Sequence, residues 1–464
     1  MNKKKDKSNS LHPARLIAAK ALSQFGEKKD FLEAILNRFM PRAAERQKVT
    51  DLAMGTLRNR VAIDLVITKT ADVQIKRIPS KILNIVRIAA YELIYCPRIP
   101  VYAVVNESVE ACKSVAGRKQ ASFINAVLRS ISSHIIDREV PLAQAVKSKT
   151  IPQALSCGCQ FDFDILPDFA KSVAEYLANA FSLPRWLIEE WIDEYGAEKT
   201  EQICFASNRR PSIYIRPNIL KTTAAELAGK LKQAYVDLQI INGSMIQLKS
   251  PKLITKLPGF AAGLFTIQDI CATKAAELLN PEAGWSILDL CAAPGTKTTQ
   301  LAELTKDKSS IIATDIDSRR LERLRENIQR LKLKSIRIIK YDQLKDEQVK
   351  RNGPFDCVLL DVPCSNTGVL AKRPEVRFRI TKGAIKKLVK RQADLLKKAA
   401  EVLKPDGKIC YSTCSIQRAE NSLLIKEFLQ KNTNFNLESE SLILPSAAQP
   451  DCDGAYAAIL KRKN

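Results

Sequence analysis

Histidine is almost missing: the 464 residues contain two, His12 and His134. Serine–histidine and cysteine–histidine hydrolase chemistry is therefore not expected, because it needs an imidazole base beside the nucleophile. The same scarcity argues against a Cys/His zinc site, despite Cys157-Gly158-Cys159, and no metal is expected. No uncharged apolar run reaches about 18 residues, so no membrane span is expected. The basic start Met1-Asn2-Lys3-Lys4-Lys5-Asp6-Lys7 leads into no apolar core, so a secretory leader is not expected either. A glycine-rich phosphate loop is lacking too, which argues against a nucleoside triphosphate.

Acidic residues are outnumbered, 50 against 74 Lys and Arg, leaving a net charge of +24. That balance points to a polyanion, most commonly nucleic acid; a basic surface without a partner is the alternative. Residues 1–140 hold 25 basic and 13 acidic residues, so both halves of the chain share the excess. Twelve cysteines follow no repeating frame, and several (Cys96, Cys271, Cys357, Cys410) sit in apolar runs. Such cysteines suit a reducing cytoplasm, where they act as small hydrophobes. With 45% hydrophobic residues over this length, a globular chain of two or three domains is expected.

Between about 11 and 140 apolar residues recur at helical spacing, as in Phe123, Ile124, Val127, Leu128 and Ile131, and a helical bundle is expected over 1–140. The period is lost over 141–170, which reads as a linker. Residues 171–280 form a smaller α+β region: Trp186, Leu187, Trp191 and Ile192 share a helical face, and Ser212–Arg216 and Leu264–Ile267 read as strands. Over 281–464 short apolar strands alternate with helices, the pattern of a parallel α/β sheet. The strands are placed at 286–290, 310–314, 335–339, 356–360 and 408–412, with helices at 318–331 and 381–403. The fold class is multidomain, α plus α/β.

Ile287-Leu288-Asp289-Leu290-Cys291-Ala292-Ala293-Pro294-Gly295-Thr296-Lys297-Thr298 runs from a buried strand through small residues into a helix. Small residues let backbone N–H groups approach a ligand there, although any tight strand-to-helix turn needs them too. About one βα unit downstream, Asp315 ends the next strand, where a carboxylate can accept from ribose hydroxyls; a helix N-cap is the competing role. Asp342 follows the third strand, suited to an adenine amino group, and Asp361-Val362-Pro363-Cys364 follows the fourth. Four such strand ends together describe a nucleoside-binding crevice. Cys364, and Cys414 in Tyr411-Ser412-Thr413-Cys414-Ser415, both fall on the edge where α/β enzymes keep their chemistry. Packing is the alternative for each. A thiolate there suits methylation of cytosine C5: addition at C6 makes the unreactive C5 enamine-like, able to attack a sulfonium methyl. Which cysteine attacks is not decided by this reasoning.

Cys291-Ala-Ala-Pro-Gly295, Asp361-Val-Pro-Cys364 and Thr413-Cys-Ser415, in this order and spacing, resemble the Sun/Fmu, or ribosomal RNA small subunit methyltransferase B, family of RNA cytosine-5 methyltransferases. The resemblance covers nearly the whole chain. Residues 11–135 look like that family's NusB-like helical RNA-binding domain, 208–218 with Gln268-Asp269 its middle segment, and Asn421-Ser422 and Asp453-Gly454 its tail. It implies a Rossmann-like methyltransferase sheet and S-adenosylmethionine bound by Cys291, Ala292, Ala293, Pro294, Gly295, Thr296, Lys297, Asp315, Asp342 and Asp361. It also implies Cys414 as nucleophile and Cys364 as helper in product release, with Asp361 placed for the base's polar edge. Thr296, Val362 and Ala455-Tyr456 depart from the family's usual glycine, alanine and paired phenylalanines. Structured RNA, most simply small-subunit ribosomal RNA, is the expected partner of a monomer. Nine Lys and Arg lie between 372 and 391, with Glu375 the only acid. Lys372 and Arg373 among them, and Arg216, are expected RNA contacts; a solvated helix face is the competing reading. A tRNA cytosine-5 methyltransferase and a non-catalytic RNA-binding or transcription-associated factor are the rival functions.

Overall fold

A computed structural model describes residues 13–26, 30–249, 253–340 and 353–463. The chain divides into two units, Met1–Arg210 with Leu370–Arg379, and Pro211–Val369 with Ile380–Asn464. Among the described residues no helix is long and apolar enough to cross a membrane.

The first unit is a helical bundle: α1 (Ala14–Gln24), α2 (Leu32–Phe39), α3 (Arg46–Arg58), α4 (Arg60–Ala71), α5 (Ser80–Tyr95), α6 (Val101–Ala116) and α7 (Arg118–Ser133). Helix α5 is buried on nearly every side, as a central helix must be, and it packs on α1, α3, α4, α6 and α7. In α7, Ile124, Val127, Leu128 and Ile131 are buried, matching the spacing read from the sequence. Glu92 of α5 is fully buried and takes two hydrogen bonds from Arg15 of α1, at 2.5 and 2.8 Å.

The segment expected to be a linker is ordered. Strands β1 (Ile135–Pro141), β2 (Thr150–Pro152) and β3 (Cys157–Phe161) form an antiparallel sheet in the order β1-β3-β2. Arg138 of β1 donates to the carbonyls of Glu92, Leu93, Cys96, Pro97 and Ile99. A helix end leaves such carbonyls unpaired, so this one guanidinium ties the sheet to the end of α5. Helices α8 (Val173–Ala180), α9 (Arg185–Tyr195) and α10 (Ala197–Asn208) complete the unit, placing its boundary near 210 rather than near 140 or 170.

Leu370–Arg379, read in the sequence as part of a basic insertion, belongs to this helical unit. Arg377 is buried and donates to the carbonyls of Phe181, at 3.1 Å, and Ser207, at 3.0 Å, and to Asn208 Oδ1, at 2.9 Å. Arg58 returns a 2.8 Å bond to the Ala371 carbonyl. Its charges therefore serve in part as internal fasteners.

The second unit holds two sheets. The smaller, in the order β5-β6-β4-β7, joins β4 (Ile213–Pro217), β5 (Leu238–Ile241), β6 (Met245–Leu248) and β7 (Phe265–Ile267), with α11 (Ala224–Gln233) packed on it. The larger has the order β10-β9-β8-β11-β12-β14-β13. Its strands are β8 (Ser286–Asp289), β9 (Ser310–Ala313), β10 (Ile336–Ile338), β11 (Phe355–Asp361), β12 (Leu403–Thr413), β13 (Phe435–Ile443) and β14 (Ala455–Arg462). All neighbours are parallel except around β14, which runs antiparallel to β12 and β13. Residues alternate across β11: Cys357 and Leu359 pack in one core with α12 (Lys274–Leu279), α13 (Thr296–Leu304) and α14 (Ser318–Leu331). Val358 and Leu360 pack in the other, with helices Lys382–Glu401 and Ser422–Lys431. Burial on both faces is why this strand reads as an unbroken apolar run. Strand order reverses beside β8, so the crevice at the carboxyl ends of β8 and β11 is the topological place for a ligand.

Candidate active site

At the end of β8 the chain turns through Cys291–Gly295 into α13. Gly295 has φ +102°, and a Cβ on it would lie 2.2 Å from Leu324 Cδ1, so only glycine lets the turn close against α14. The carboxyl group of Asp289 is buried; it accepts from Thr298 Oγ1 at 2.7 Å and from the Cys291 N–H at 3.3 Å. Asp315, two residues beyond β9, accepts from the Ala293 N–H at 3.2 Å and the Asp317 N–H at 2.9 Å. It thereby binds the loop to the next strand end, a role neither the ribose nor the N-cap reading had included.

Lys297, in the first turn of α13, reaches across to Asp361 at the end of β11, with Nζ 2.7 Å from Oδ2. Burial works against the Lys297 ammonium, but the charge and hydrogen bond of Asp361 outweigh it and push its pKa above the ordinary lysine value, helped by Cys414 and Asp289. Ser412 Oγ lies 3.4 Å from the other carboxylate oxygen of Asp361.

The two cysteines meet at this edge. Cys364 Sγ and Cys414 Sγ are 3.1 Å apart, both as free thiols. The neighbouring sulfur, then burial, pushes the Cys364 thiol well above the usual cysteine range, so it keeps its proton. Cys364 is buried and Cys414 half-buried. Cys414 Sγ also lies 3.3 Å from Asn366 Oδ1, while Asn366 donates at 2.9 Å to the Cys364 carbonyl from a left-handed conformation that asparagine tolerates. A cavity opens here, lined by Lys297, Ser412, Thr413 and Cys414 together with Asp269, Asp453 and Tyr456. Cys291, Cys357 and Cys410 are different: burial pushes each thiol up, as for inert packing cysteines.

The NusB family matches residues 12–133, the ferredoxin-like domain of RsmF/B-like methyltransferases 183–254, and the family described as 16S rRNA methyltransferase RsmB/F 276–456. The probable ribosomal RNA small subunit methyltransferase B of Synechocystis sp. is 31% identical over 432 residues, 92% of this chain and 91% of that one. The chain belongs to the ribosomal RNA small subunit methyltransferase B family. Its Klebsiella pneumoniae relative of that name is 30% identical over 97% of this chain and 98% of its own length. The crystal structure of PH0851 shares the fold, with a TM-score of 0.74 at 24% identity, covering 98% of this chain and all of that one.

In this methyltransferase the structure gathers Cys291–Lys297, Asp315, Asp361, Cys364 and Cys414 at one sheet edge; Asp342 lies outside the described residues. Arg216 requires a correction. It was read as an RNA contact, but it is buried and forms an ion pair with Glu303 of α13 at 2.8 Å. It also donates to the Thr296 carbonyl at 3.0 Å and to Gln268 Oε1. It therefore fastens the small sheet to α13. Arg373 pairs with Glu33 at 3.1 Å, its guanidinium 5.3 Å from the Phe31 ring centroid, on the helical unit; Lys372, also half-buried, is on the same segment. Sequence reasoning missed Asn366 and Glu420 altogether. The cue for each was a polar residue within six positions of a candidate cysteine.

Burial pushes the Asp289 carboxyl up to about 7, against the lowering effect of the Thr298 hydroxyl. Between about pH 4 and 7 the folded chain then holds a proton that the unfolded chain has lost. Stability from this group is full below pH 4 and falls as pH rises to 7, a total cost on the order of 4 kcal/mol. Asp289→Asn is expected to erase that slope: its unfolding free energy relative to wild type should rise by on the order of 2–3 kcal/mol from pH 5 to pH 8 in urea titrations. A difference constant across that range would show that Asp289 ionises normally.

Proposed function

We propose that this methyltransferase transfers a methyl group from S-adenosylmethionine to C5 of a cytosine in small-subunit ribosomal RNA through a covalent Cys414–C6 intermediate. The observation that carries the reading is the placement of Cys414 Sγ on the cavity wall beside Lys297, with the Cys364 thiol 3.1 Å from it. Lys297 places a positive charge at the same cavity. The cavity receives a cytosine turned out of its RNA stack. Cys414 adds to C6, Asp361 holds the polar edge of the ring, and C5 becomes nucleophilic. When a base has taken the C5 proton, the Cys364 thiol stabilises the departing sulfur of Cys414 by hydrogen bonding.

The residues present fit the methyl donor. A glycine turn closed on α14, a helix N-terminus, and carboxylates at the ends of β9 and β11 are the donor and acceptor set a cationic nucleoside needs. Residues 291–297, Asp315 and Asp361 would hold it, and it supplies an electrophilic methyl on a sulfonium. Lys372 and Arg373 are proposed RNA contacts.

The test supplies methyl-labelled S-adenosylmethionine with either 16S ribosomal RNA or tRNA, then separates the nucleosides. Label in 5-methylcytidine from 16S RNA is expected. Label in another nucleoside overturns the chemistry, and label confined to tRNA overturns the substrate.

A further inference from the structure

The loops that carry the two cysteines are joined by a carboxylate belonging to neither. Glu420, in the turn before helix Ser422–Lys431, is fully buried. Its Oε1 accepts from the backbone N–H of Ser365 at 2.8 Å and from Gln392 Nε2 at 3.0 Å. Its Oε2 accepts from the hydroxyls of Ser415, at 2.5 Å, and of Ser365. Ser365 directly follows Cys364, and Ser415 directly follows Cys414. The grip is braced from behind: Tyr411 of β12 donates its hydroxyl to the Glu420 carbonyl at 2.6 Å, and Gln392 also donates to the Pro363 carbonyl at 3.0 Å.

We propose that Glu420 is a positioning residue that sets the spacing of Cys364 and Cys414. A buried carboxyl group is costly to keep unless its hydrogen bonds are made. The four bonds therefore act as one clasp: moving either loop leaves buried polar atoms without their partners. A clasp one residue from each sulfur fixes where the sulfurs stand without touching substrate. In the reaction proposed above, Cys414 must leave C6 toward the Cys364 thiol, so their spacing governs release more than substrate binding.

Glu420→Gln, made in the full chain, keeps the side-chain volume and the acceptor for the Ser365 N–H but puts an amide NH2 where two hydroxyls donate. The first readout does not depend on activity. In a glutathione buffer the two thiols lose two electrons and two protons to form one disulfide, while oxidised glutathione is reduced to two reduced molecules; peptide mapping measures the Cys364–Cys414 bond. The variant is expected to need an oxidising ratio about tenfold higher for half-oxidation, the worth of roughly one buried hydrogen bond. The second readout uses 16S RNA: kcat should fall about tenfold or more with KM little changed, and the SDS-stable protein–RNA species should rise. Ser415→Ala, a milder cut on the same clasp, should shift both readouts in the same direction by about threefold, and it replaces Glu420→Gln if that variant does not fold. An unchanged disulfide midpoint in a folded variant overturns the clasp. Wild-type protein that fails to methylate cytosine while the midpoint still shifts overturns the enzymatic reading and leaves the clasp standing.

Discussion

Cys414→Ala is expected to lower methyl transfer to RNA by at least about 10³-fold while leaving the fold and the binding of S-adenosylmethionine intact. The size of the loss follows from the chemistry. Cytosine C5 attacks a sulfonium methyl only after a nucleophile has added at C6, so the variant loses the step that creates the reactive carbon. A 10³-fold loss corresponds to about 4 kcal/mol of transition-state stabilisation. Stability should be little affected, because Cys414 is half-buried on a cavity wall, and removing its sulfur opens little new space in the core. Titration calorimetry with the methyl donor checks that its site survives, since the residues proposed to hold it, 291–297 and Asp315, are untouched. Retention of more than about a tenth of the wild-type rate would remove Cys414 from the nucleophile's role.

What the sequence reveals of this molecule depends on how each element is buried. Strand β8, β11 and helix α14 were placed to within a residue at each end, because each is punctuated: β8 ends in a small-residue turn, β11 in Asp361-Val-Pro, and α14 begins at the N-cap Asp317. Strand β14 was missed. Its run Ala455-Tyr-Ala-Ala-Ile-Leu-Lys-Arg462 is buried on both faces between β12 and β13, so it shows no two-residue alternation and its alanines suit a helix equally well. Strands β1 to β3 were hidden for another reason: β2 and β3 are short, β1 is partly exposed, and the sheet is fixed by Arg138 reaching α5 some 45 residues earlier in the chain. Long-range partners also explain the misreading of Arg216. An arginine in a basic chain looks like an RNA contact until its partner, Glu303, is found 87 residues away. The strand-end turn 291–295 and the strand-end placement of both cysteines are legible from local motifs, whereas Asn366 and Glu420 serve geometry that exists only once β11 and β12 lie side by side.

Cys364→Ala is expected to do the reverse of the Cys414 substitution: it should trap the enzyme on its RNA. The Cys364 thiol keeps its proton because of the Cys414 sulfur 3.1 Å away and its own burial. It is therefore a hydrogen-bond donor waiting for the thiolate that Cys414 becomes on leaving C6. Addition and methyl transfer do not need that donor, since Cys414 faces the cavity and Lys297 places a positive charge there. Elimination does, because a thiolate expelled into a half-buried site has lost most of its water and must be stabilised by the protein. The variant should carry labelled methyl into an SDS-stable protein–RNA species at least about tenfold more abundant than in wild type, the worth of a hydrogen bond to a charged sulfur. That species should vanish in the double variant with Cys414→Ala, because the sulfur forming the bond is then gone. Adduct levels like those of wild type, with turnover preserved, would assign the release step to another group and leave Cys364 as packing behind the nucleophile.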